Sequence, residues 1–287
     1  MKQFIKKNLV GVVRFMITIF GEGWRRKVSL ILREAMSRHG FDEVIKVIET
    51  KRGRVRFYCL DSLPLWRAET LLTKEPETIE WIDSMEDGDV LFDIGANVGI
   101  YTIYAGIKKS VKVKAFEPLA ANYFLINRNI EENNLFENVQ AFCLALNDKD
   151  MLGSFHVQNT GFGSAVSSFD VPIDHNGDQF EAKFEQGMVG MTLDNFVEKF
   201  EPDFPTHIKI DVDGIEDKII KGALKTLSDA RVKSVSIELD EKRPEYTNAI
   251  ITDIESVGFS LTSKRHSPMF DKTQYSNIFN YRFDRAV

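Results

Sequence analysis

The chain has little cysteine, little histidine and no long uninterrupted apolar run. Its two cysteines, Cys59 and Cys143, do not form a Cys-x-x-Cys pair. This scarcity indicates neither a disulfide framework nor a zinc site made of thiolates, and it is typical of a protein from a reducing compartment. The formal net charge is −6 at neutral pH, which argues against a general affinity for nucleic-acid phosphates. We therefore expect no nucleic-acid partner.

The first twenty residues are rich in apolar side chains, but Arg14 interrupts them. They lack the continuous core of a secretory signal or of a membrane-spanning helix, so we expect a cytoplasmic protein. A basic amphipathic helix within residues 1–27 could lie on the inner face of an anionic membrane. The alternative is a helix that packs on its own domain or on a second subunit of a homo-oligomer.

The sequence predicts one α/β domain preceded by an N-terminal extension. Residues 1–52 are predicted to form an N-terminal helical extension, and residues 53–287 to form the main domain. From Val90 onward, short apolar runs alternate with helical segments, which predicts a doubly wound, mostly parallel sheet. A Gly- and Ser-rich insertion lies between the strands expected at residues 155–157 and 184–191, and it is a natural loop on the substrate side.

The most informative segment runs from Val90 to Pro118. Val90–Ile94 predicts a buried strand with Asp93 near its end, and three turn-forming residues then follow at alternate positions: Gly95, Asn97 and Gly99. Glycine lets the backbone turn sharply and approach a ligand, and the helix that starts there offers free N–H groups to an anion. Glu117 follows the next strand, 24 positions after Asp93, close to the spacing at which an acid meets ribose hydroxyls in dinucleotide folds.

An acid ahead of the first glycine distinguishes this pattern from the usual dinucleotide fingerprint. Asp93 would repel a pyrophosphate, but it suits a ligand that carries an ammonium group as well as a carboxylate. S-adenosylmethionine is such a ligand. The pattern resembles motif I of the class I methyltransferases, and with Asn97 it resembles the FkbM family in particular. The alternative is a tight turn in some other α/β protein.

A second string strengthens the resemblance. Residues 208–216 read Ile-Lys-Ile-Asp-Val-Asp-Gly-Ile-Glu, which is similar to the family signature Lys-Ile-Asp-Val-Glu-Gly-x-Glu, with Asp213 in the place usually held by Glu. Three shorter segments also resemble the family: Leu144–Asn147, Thr192–Asn195 and Val235–Glu238. The resemblance extends from about Glu75 to Phe283. It implies a Rossmann-like, seven-stranded sheet with an antiparallel C-terminal hairpin, S-adenosylmethionine as cofactor, and O-methylation of sugars, glycans or polyketide-type products.

Ligands of open α/β sheets collect at the carboxyl ends of the strands, which predicts the donor site. Asp93 is expected near the donor ammonium, Tyr101 and Thr102 near its carboxylate, and Glu117 at its ribose hydroxyls. Leu144 and Ala145 are expected beside the adenine. The complete predicted set for the cofactor is Asp93, Gly95, Asn97, Gly99, Tyr101, Thr102, Glu117, Pro118, Leu144, Ala145 and Asp211.

Methyl transfer to a hydroxyl needs an aligned acceptor and an acceptor for its proton. Asp211 is the first candidate for the general base or for an acid that orients the acceptor. The other candidates are Asp213, Glu216, Glu238 and His266. Asp213 and Glu216 could instead be solvated residues at a helix start, and His266 could belong to a plain surface loop. We predict no metal site; in the alternative, the same acids hold a divalent cation that polarises a sugar diol.

The sequence thus predicts an S-adenosylmethionine-dependent O-methyltransferase that acts on a sugar, a glycan or a glycolipid-type acceptor. Two alternatives stay open. One is N- or carboxyl-methylation of another small metabolite. The other is a cofactor-binding partner in a glycan-assembly complex that has lost catalysis.

Overall fold

The computed structural model describes residues 45–285 and, before them, five helical residues: Arg26, Lys27, Leu30, Ile31 and Glu34. The chain divides into two compact units, Met1–Val44 and Ile45–Val287. Apart from Arg26 and Lys27, the amphipathic helix expected within residues 1–27 lies outside the described residues. None of the described helices is long and apolar enough to cross a membrane.

The second unit opens with a β-hairpin. Strand β1 (Ile45–Thr50) pairs antiparallel with β2 (Gly53–Tyr58). Residues 45–50 were expected within the helical extension, so that boundary is wrong for them. The physical reason is visible in their composition, because Ile45, Val47 and Ile48 are β-branched and favour a pleated strand over a helix.

Two helices lead from the hairpin to the central sheet. Helix α1 (Ser62–Glu69) begins after Asp61, whose carboxylate accepts the Ser62 N–H. Helix α2 (Pro76–Asp83) begins with a proline, which suits the first turn because its missing N–H would have no partner there.

The remaining elements alternate along the chain. The strands are β3 (Val90–Ile94), β4 (Lys112–Phe116), β5 (Val139–Phe142), β6 (Ala145–Leu146), β7 (Met151–Val157), β8 (Ser167–Phe169), β9 (Phe184–Met191), β10 (His207–Ile210), β11 (Ser234–Asp240), β12 (Phe259–Arg265) and β13 (Ile278–Arg285). The helices are α3 (Ile100–Gly106), α4 (Ala120–Glu132), α5 (Leu193–Phe200), α6 (Glu216–Lys221), α7 (Leu224–Ser228) and α8 (Pro244–Ser256).

Seven strands form the central sheet, in the order β12-β13-β11-β10-β3-β4-β5. Adjacent strands in the series β11-β10-β3-β4-β5 are parallel, whereas β13 pairs antiparallel with both β11 and β12. This confirms the predicted doubly wound sheet and its antiparallel hairpin. The chain leaves β3 toward β4 and later returns on the other side as β10, so the strand order reverses at β3. A ligand crevice is expected where the carboxyl ends of β3 and β10 diverge.

The core lies on both faces of this sheet. Successive residues of a strand point to opposite faces, and Leu91 and Phe92 accordingly belong to different hydrophobic clusters. All five residues of β3 are buried. The strand that carries Asp93 is therefore fully enclosed, and it holds that side chain in a fixed place.

A smaller sheet, in the order β6-β9-β7-β8, is inserted between β5 and β10. It confirms the strands expected at residues 155–157 and 184–191. The Gly- and Ser-rich residues 161–167, hereafter the strap, lead from β7 toward β8.

Candidate active site

The donor loop connects β3 to α3. The N–H groups of Gly95 and Ala96 donate to the Phe116 carbonyl at 2.9 and 3.1 Å, which ties the turn to the end of β4. Asn97 adopts a left-handed backbone, with φ of 52°, a conformation that asparagine tolerates better than most residues. Its N–H donates to Glu117 at 2.8 Å. The structure thus brings the predicted glycine turn and the predicted ribose acid together.

Glu117 is a buried acceptor at the end of β4. One carboxylate oxygen accepts the Asn97 N–H and the other accepts the Leu119 N–H at 2.9 Å. Burial raises the pKa of Glu117 to about 7, although the two N–H groups oppose that shift. The oxygen that accepts from Leu119 also accepts from the Asn122 side chain at 3.5 Å, whereas the other oxygen keeps a second lone pair, so Glu117 fits a ligand that presents a hydroxyl donor.

Only one of the two carboxylate oxygens of Asp93 has a hydrogen-bond partner among the described residues. The Thr102 hydroxyl donates to Oδ2, whereas Oδ1 is buried and has no hydrogen-bond partner among the described residues. Burial raises the pKa of Asp93, and Lys209 opposes that shift. An ammonium group would give Oδ1 its missing donor, so this orphaned atom fits the predicted donor.

The structure places Tyr101 and Thr102 in the first turn of α3. Both were expected to hold the donor carboxylate at the start of α3. Both are buried, because α3 packs its first turn against the sheet, and the Thr102 hydroxyl is used by Asp93. Contact of Tyr101 and Thr102 with the donor carboxylate stays a prediction, and Tyr101 faces acids, as described below.

Residues expected at the adenine lie next to Glu117. The Glu117 N–H donates to the Phe142 carbonyl at 3.0 Å, which places the segment from Phe142 to Ala145 beside the ribose acid. Ala145 is buried and pairs with Gly190 in the smaller sheet, and the Pro118 carbonyl accepts from Gln186 at 2.7 Å. Adenine binding by Leu144 and Ala145 remains a prediction, as does cofactor binding by Pro118.

The strap crosses the donor loop. The Ser164 carbonyl accepts from the side chain of Asn97 at 2.9 Å and from that of Asn122 at 3.1 Å. The Gly163 N–H donates to Asn122 at 2.8 Å, and its carbonyl accepts from Arg67 at 2.8 Å. The expected substrate-side loop therefore lies directly against the predicted donor residues.

Asp213 holds the other end of the strap. Its Oδ2 accepts the N–H groups of Val166 and Ser167 at 2.7 and 3.3 Å. Val166 has a φ of 60°, which is strained for a β-branched residue. Asp213 thus organises a loop, which explains how an acid one methylene shorter than Glu can serve at this position.

Glu216 also has partners within the fold. Its carboxylate accepts the Tyr246 hydroxyl at 2.6 Å and the Gly214 N–H at 3.1 Å. Burial raises its pKa to about 7. The hydrogen bonds of Asp213 and Glu216 therefore give both residues positioning roles rather than a place at the reacting atoms.

Asp211 and Glu238 lie side by side. Ile210 pairs with Ile237 in parallel register. The residues that follow them, Asp211 and Glu238, are therefore neighbours on the same face of the sheet. Asp211 Oδ2 accepts from the Lys209 ammonium at 2.7 Å. Burial alone would raise the pKa of Asp211, but Lys209 and Lys74 lower it to about 2. Burial and the charge of Asp211 together raise the pKa of Glu238.

Glu75 completes this group, and the sequence interpretation missed it. Carboxylate oxygens of Glu75, Asp211 and Glu238 all lie within 4.8 Å of one another. Glu75 is buried at the start of α2 and forms an ion pair with Lys74 at 2.5 Å. The sequence feature that could have drawn attention to Glu75 is a Lys-Glu pair directly before a helix that begins with proline.

Helix α2 is fixed over the sheet by two hydrogen bonds. Trp81 donates to Ser234 on β11 at 2.8 Å, and Asn280 on β13 donates to Glu77 at 2.9 Å. These bonds set the position of Glu75 above the carboxyl ends of β10 and β11.

Neither His207 nor His266 joins the acids. His207 lies at the start of β10, as expected for a structural residue, and bonds Ser234 at 2.7 Å and Asp89 at 3.0 Å. His266 contacts the Ile278 carbonyl at 2.8 Å and Asp271 at 3.0 Å. Both ring nitrogens of His266 are engaged at the outer hairpin, so the structure does not support its predicted catalytic role.

The doubly wound sheet, the glycine turn and the acids at the ends of β3 and β4 define a class I methyltransferase site. Residues 93–261, more than half of the chain, match the model for the methyltransferase FkbM domain. The chain belongs to this family, and S-adenosylmethionine is its methyl donor.

Several solved structures are similar to the chain. They include an S-adenosylmethionine-dependent methyltransferase from Aquifex aeolicus, with 12% identity over 76% of this chain and 93% of that chain and a TM-score of 0.42. The precorrin-6y C5,15-methyltransferase from Geobacter metallireducens has 12% identity over 76% and 92%, with a TM-score of 0.44. TYW2 from M. jannaschii, solved with AdoMet, has 15% identity over 85% and 88%, with a TM-score of 0.40. No curated protein sequence matches the chain.

Proposed function

We propose that this methyltransferase acts on a hydroxyl of a sugar, a glycan or a glycolipid-type acceptor. The observation that supports this is the convergence of three carboxylates beside the donor loop: Glu75, Asp211 and Glu238. Ionised carboxylates accept hydrogen bonds and donate none, so the group suits a ligand with several O–H donors. An acceptor that is itself a carboxylate would be repelled, which disfavours carboxyl methylation.

S-adenosylmethionine supplies the methyl group from its sulfonium, and it leaves as a thioether when the C–S bond breaks and the O–C bond forms. The chain's own residues orient the acceptor hydroxyl and receive its proton. Glu238 is the better placed of the acids, because its carboxylate has no hydrogen bond or ion pair among the described residues, whereas Asp211 is held by Lys209. The proton therefore passes to Glu238, and Asp211 orients the acceptor.

The acids also favour a second candidate function, N-methylation of an amine. An excess of carboxylates attracts a cationic acceptor as readily as it accepts hydrogen bonds from a polyol. An amine must lose its proton before it can attack, and Glu238 is available for that step too. The product, rather than the site, distinguishes the two functions.

The test uses S-adenosylmethionine with a labelled methyl group and a panel of methyl glycosides, oligosaccharides, amino sugars and simple amines. We expect an alkali-stable O-methyl ether. Glu238→Gln should lower turnover by about 10²- to 10⁴-fold, the usual contribution of a general base, with unchanged donor affinity by calorimetry. Glu80→Gln, an exposed position on α2, is the matched control.

Three outcomes would contradict the proposal. An alkali-labile product would identify a methyl ester, and label on nitrogen in the mass spectrum would identify N-methylation. Donor binding without transfer to any acceptor, together with co-purification in a glycan-assembly complex, would identify a non-catalytic partner.

Location at the inner face of a membrane is part of the same proposal, because a lipid-linked acceptor would be presented there. The basic and apolar residues 1–27 support it by composition alone. Flotation with anionic liposomes should recover the full chain and lose a variant that lacks residues 1–20. Equal recovery of both would exclude this contact and favour a subunit interface, which analytical ultracentrifugation measures.

A further inference from the structure

Three acids from separate parts of the chain meet at one point. Glu75 comes from the segment before α2, Asp211 follows β10, and Glu238 lies in β11. Each offers an oxygen within 4.8 Å of the other two. Oxygen ligands at roughly 2.0–2.6 Å from one divalent cation lie about 3 to 5 Å from each other, so this spacing suits a shared cation.

A second observation concerns Tyr101. Its side chain is 5% exposed, and its hydroxyl is buried without a hydrogen-bond partner among the described residues. The charged groups around it belong to Glu75, Asp211 and Glu238, and Glu75 is the acceptor within its reach. A buried hydroxyl without a partner is unfavourable. A water molecule bound to a cation at the acids would donate a hydrogen bond to the oxygen of this hydroxyl.

The charges of the surrounding side chains point the same way. Four carboxylates belong to this face of the sheet: Glu75, Asp93, Asp211 and Glu238. Two lysine ammonium groups neutralise only part of this charge, because Lys74 contacts Glu75 and Lys209 contacts Asp211. Arg67 adds a more distant positive charge and donates to the strap. Glu238 has no such contact among the described ion pairs, so the group retains an excess of negative charge that a compact cation would neutralise.

We propose that Glu75, Asp211 and Glu238 bind one divalent cation, Mg²⁺ or Mn²⁺. Their ligands are all carboxylate oxygens, which these hard cations prefer over the softer transition metals. Its catalytic meaning rests on the proposed function: neighbouring hydroxyls of the acceptor would complete the coordination, and the cation would make the reacting hydroxyl more acidic. One oxygen of Glu238 would then bind the cation, and the other would receive the proton. The structure thereby favours the metal alternative over the prediction of no metal site.

The test is a titration of the full chain, freed of metal, with Mn²⁺ followed by electron paramagnetic resonance. We expect about one bound Mn²⁺ per chain, with and without S-adenosylmethionine, and competition by Mg²⁺. Glu75→Gln and Glu238→Gln should each weaken Mn²⁺ binding at least tenfold, and Glu80→Gln should bind normally. Circular dichroism checks that each variant is folded. If Glu75→Gln does not fold, the Mn²⁺ affinity of Glu238→Gln decides the result.

Absence of Mn²⁺ binding at millimolar concentration would overturn the proposal, as would unchanged binding in both Gln variants. Displacement of Mn²⁺ by S-adenosylmethionine would also overturn it, because the acids would then belong to the donor's ammonium group. The two proposals fail separately. Methyl transfer that is insensitive to a chelator, together with no Mn²⁺ binding, refutes the cation and leaves the O-methyltransferase. Site-specific Mn²⁺ binding without transfer to any hydroxyl supports the cation and refutes the acceptor.

Discussion

Replacement of Gly95 by alanine tests how the donor loop is joined to β10. A β-carbon at Gly95 would lie 1.9 Å from the Asp211 carbonyl oxygen, and the residue has a φ of 80°. The left-handed backbone costs an L-residue roughly 1–2 kcal/mol, and relief of the overlap, typically about 1–3 kcal/mol, must be added. We expect a total loss of about 2–5 kcal/mol in the free energy of unfolding.

The same change should also disturb catalysis. The loop and Asp211 must separate by about 1 Å, and a misplacement of that size can lower turnover by about 10²-fold. Urea unfolding followed by tryptophan fluorescence gives the stability, and single-turnover methyl transfer gives the rate. Gly88→Ala is the matched control, because Gly88 has a φ of 90° but nothing within 4 Å of an added β-carbon. Equal losses in the two variants, with normal turnover in Gly95→Ala, would refute the reasoning.

Two further predictions concern Glu216 and the strap. Burial raises the pKa of Glu216 to about 7 from 4.5, so its proton is held more tightly in the folded state. Its contribution to stability is complete below pH 4.5 and is lost as the pH rises through 7, by up to about 3 kcal/mol. Glu216→Gln keeps a hydrogen-bonding group toward Tyr246 and should show a flatter dependence in urea unfolding between pH 5 and 8; parallel curves would contradict this. Asp213→Ala removes the acceptor of two strap N–H groups, which should speed proteolysis within residues 161–167 at least tenfold, whereas Asp213→Asn should retain most of the protection. Equal cleavage of wild type and Asp213→Ala would show that the carboxylate does not hold the strap.

The donor half of the site could be predicted from the sequence because its parts are local. Asp93, the glycine turn and Glu117 lie within one strand-helix-strand unit, and the parallel pairing of β3 with β4 brings their ends together. Spacing along the chain therefore reports distance in space for these residues. The same logic does not predict the hydrogen bond from Thr102 to Asp93, because spacing shows that a residue starts a helix but not which side of the helix packs on the sheet.

The proposed acceptor half of the site could not be predicted in full because it depends on contacts between distant segments. Glu75 reaches Asp211 only through the packing of α2, which Trp81 fixes by a bond to Ser234, 153 positions away. No local pattern records such a contact. The role of Asp213 was left open for the same reason, since the strap that it binds comes from an insertion.

One buried lysine links the two halves. Lys209 lies in register with Asp93 on β3 and donates to Asp211 at 2.7 Å. Burial alone would lower the pKa of Lys209, but Asp211 and Asp93 raise it above its usual value, so the ammonium stays charged between an acid of the predicted donor site and an acid of the proposed acceptor site. A cation that arrives at either acid therefore changes the field at the other through this shared ammonium. Because both acids project from adjacent parallel strands, the scaffold fixes their separation, and donor and acceptor are positioned by a single rigid face of the sheet.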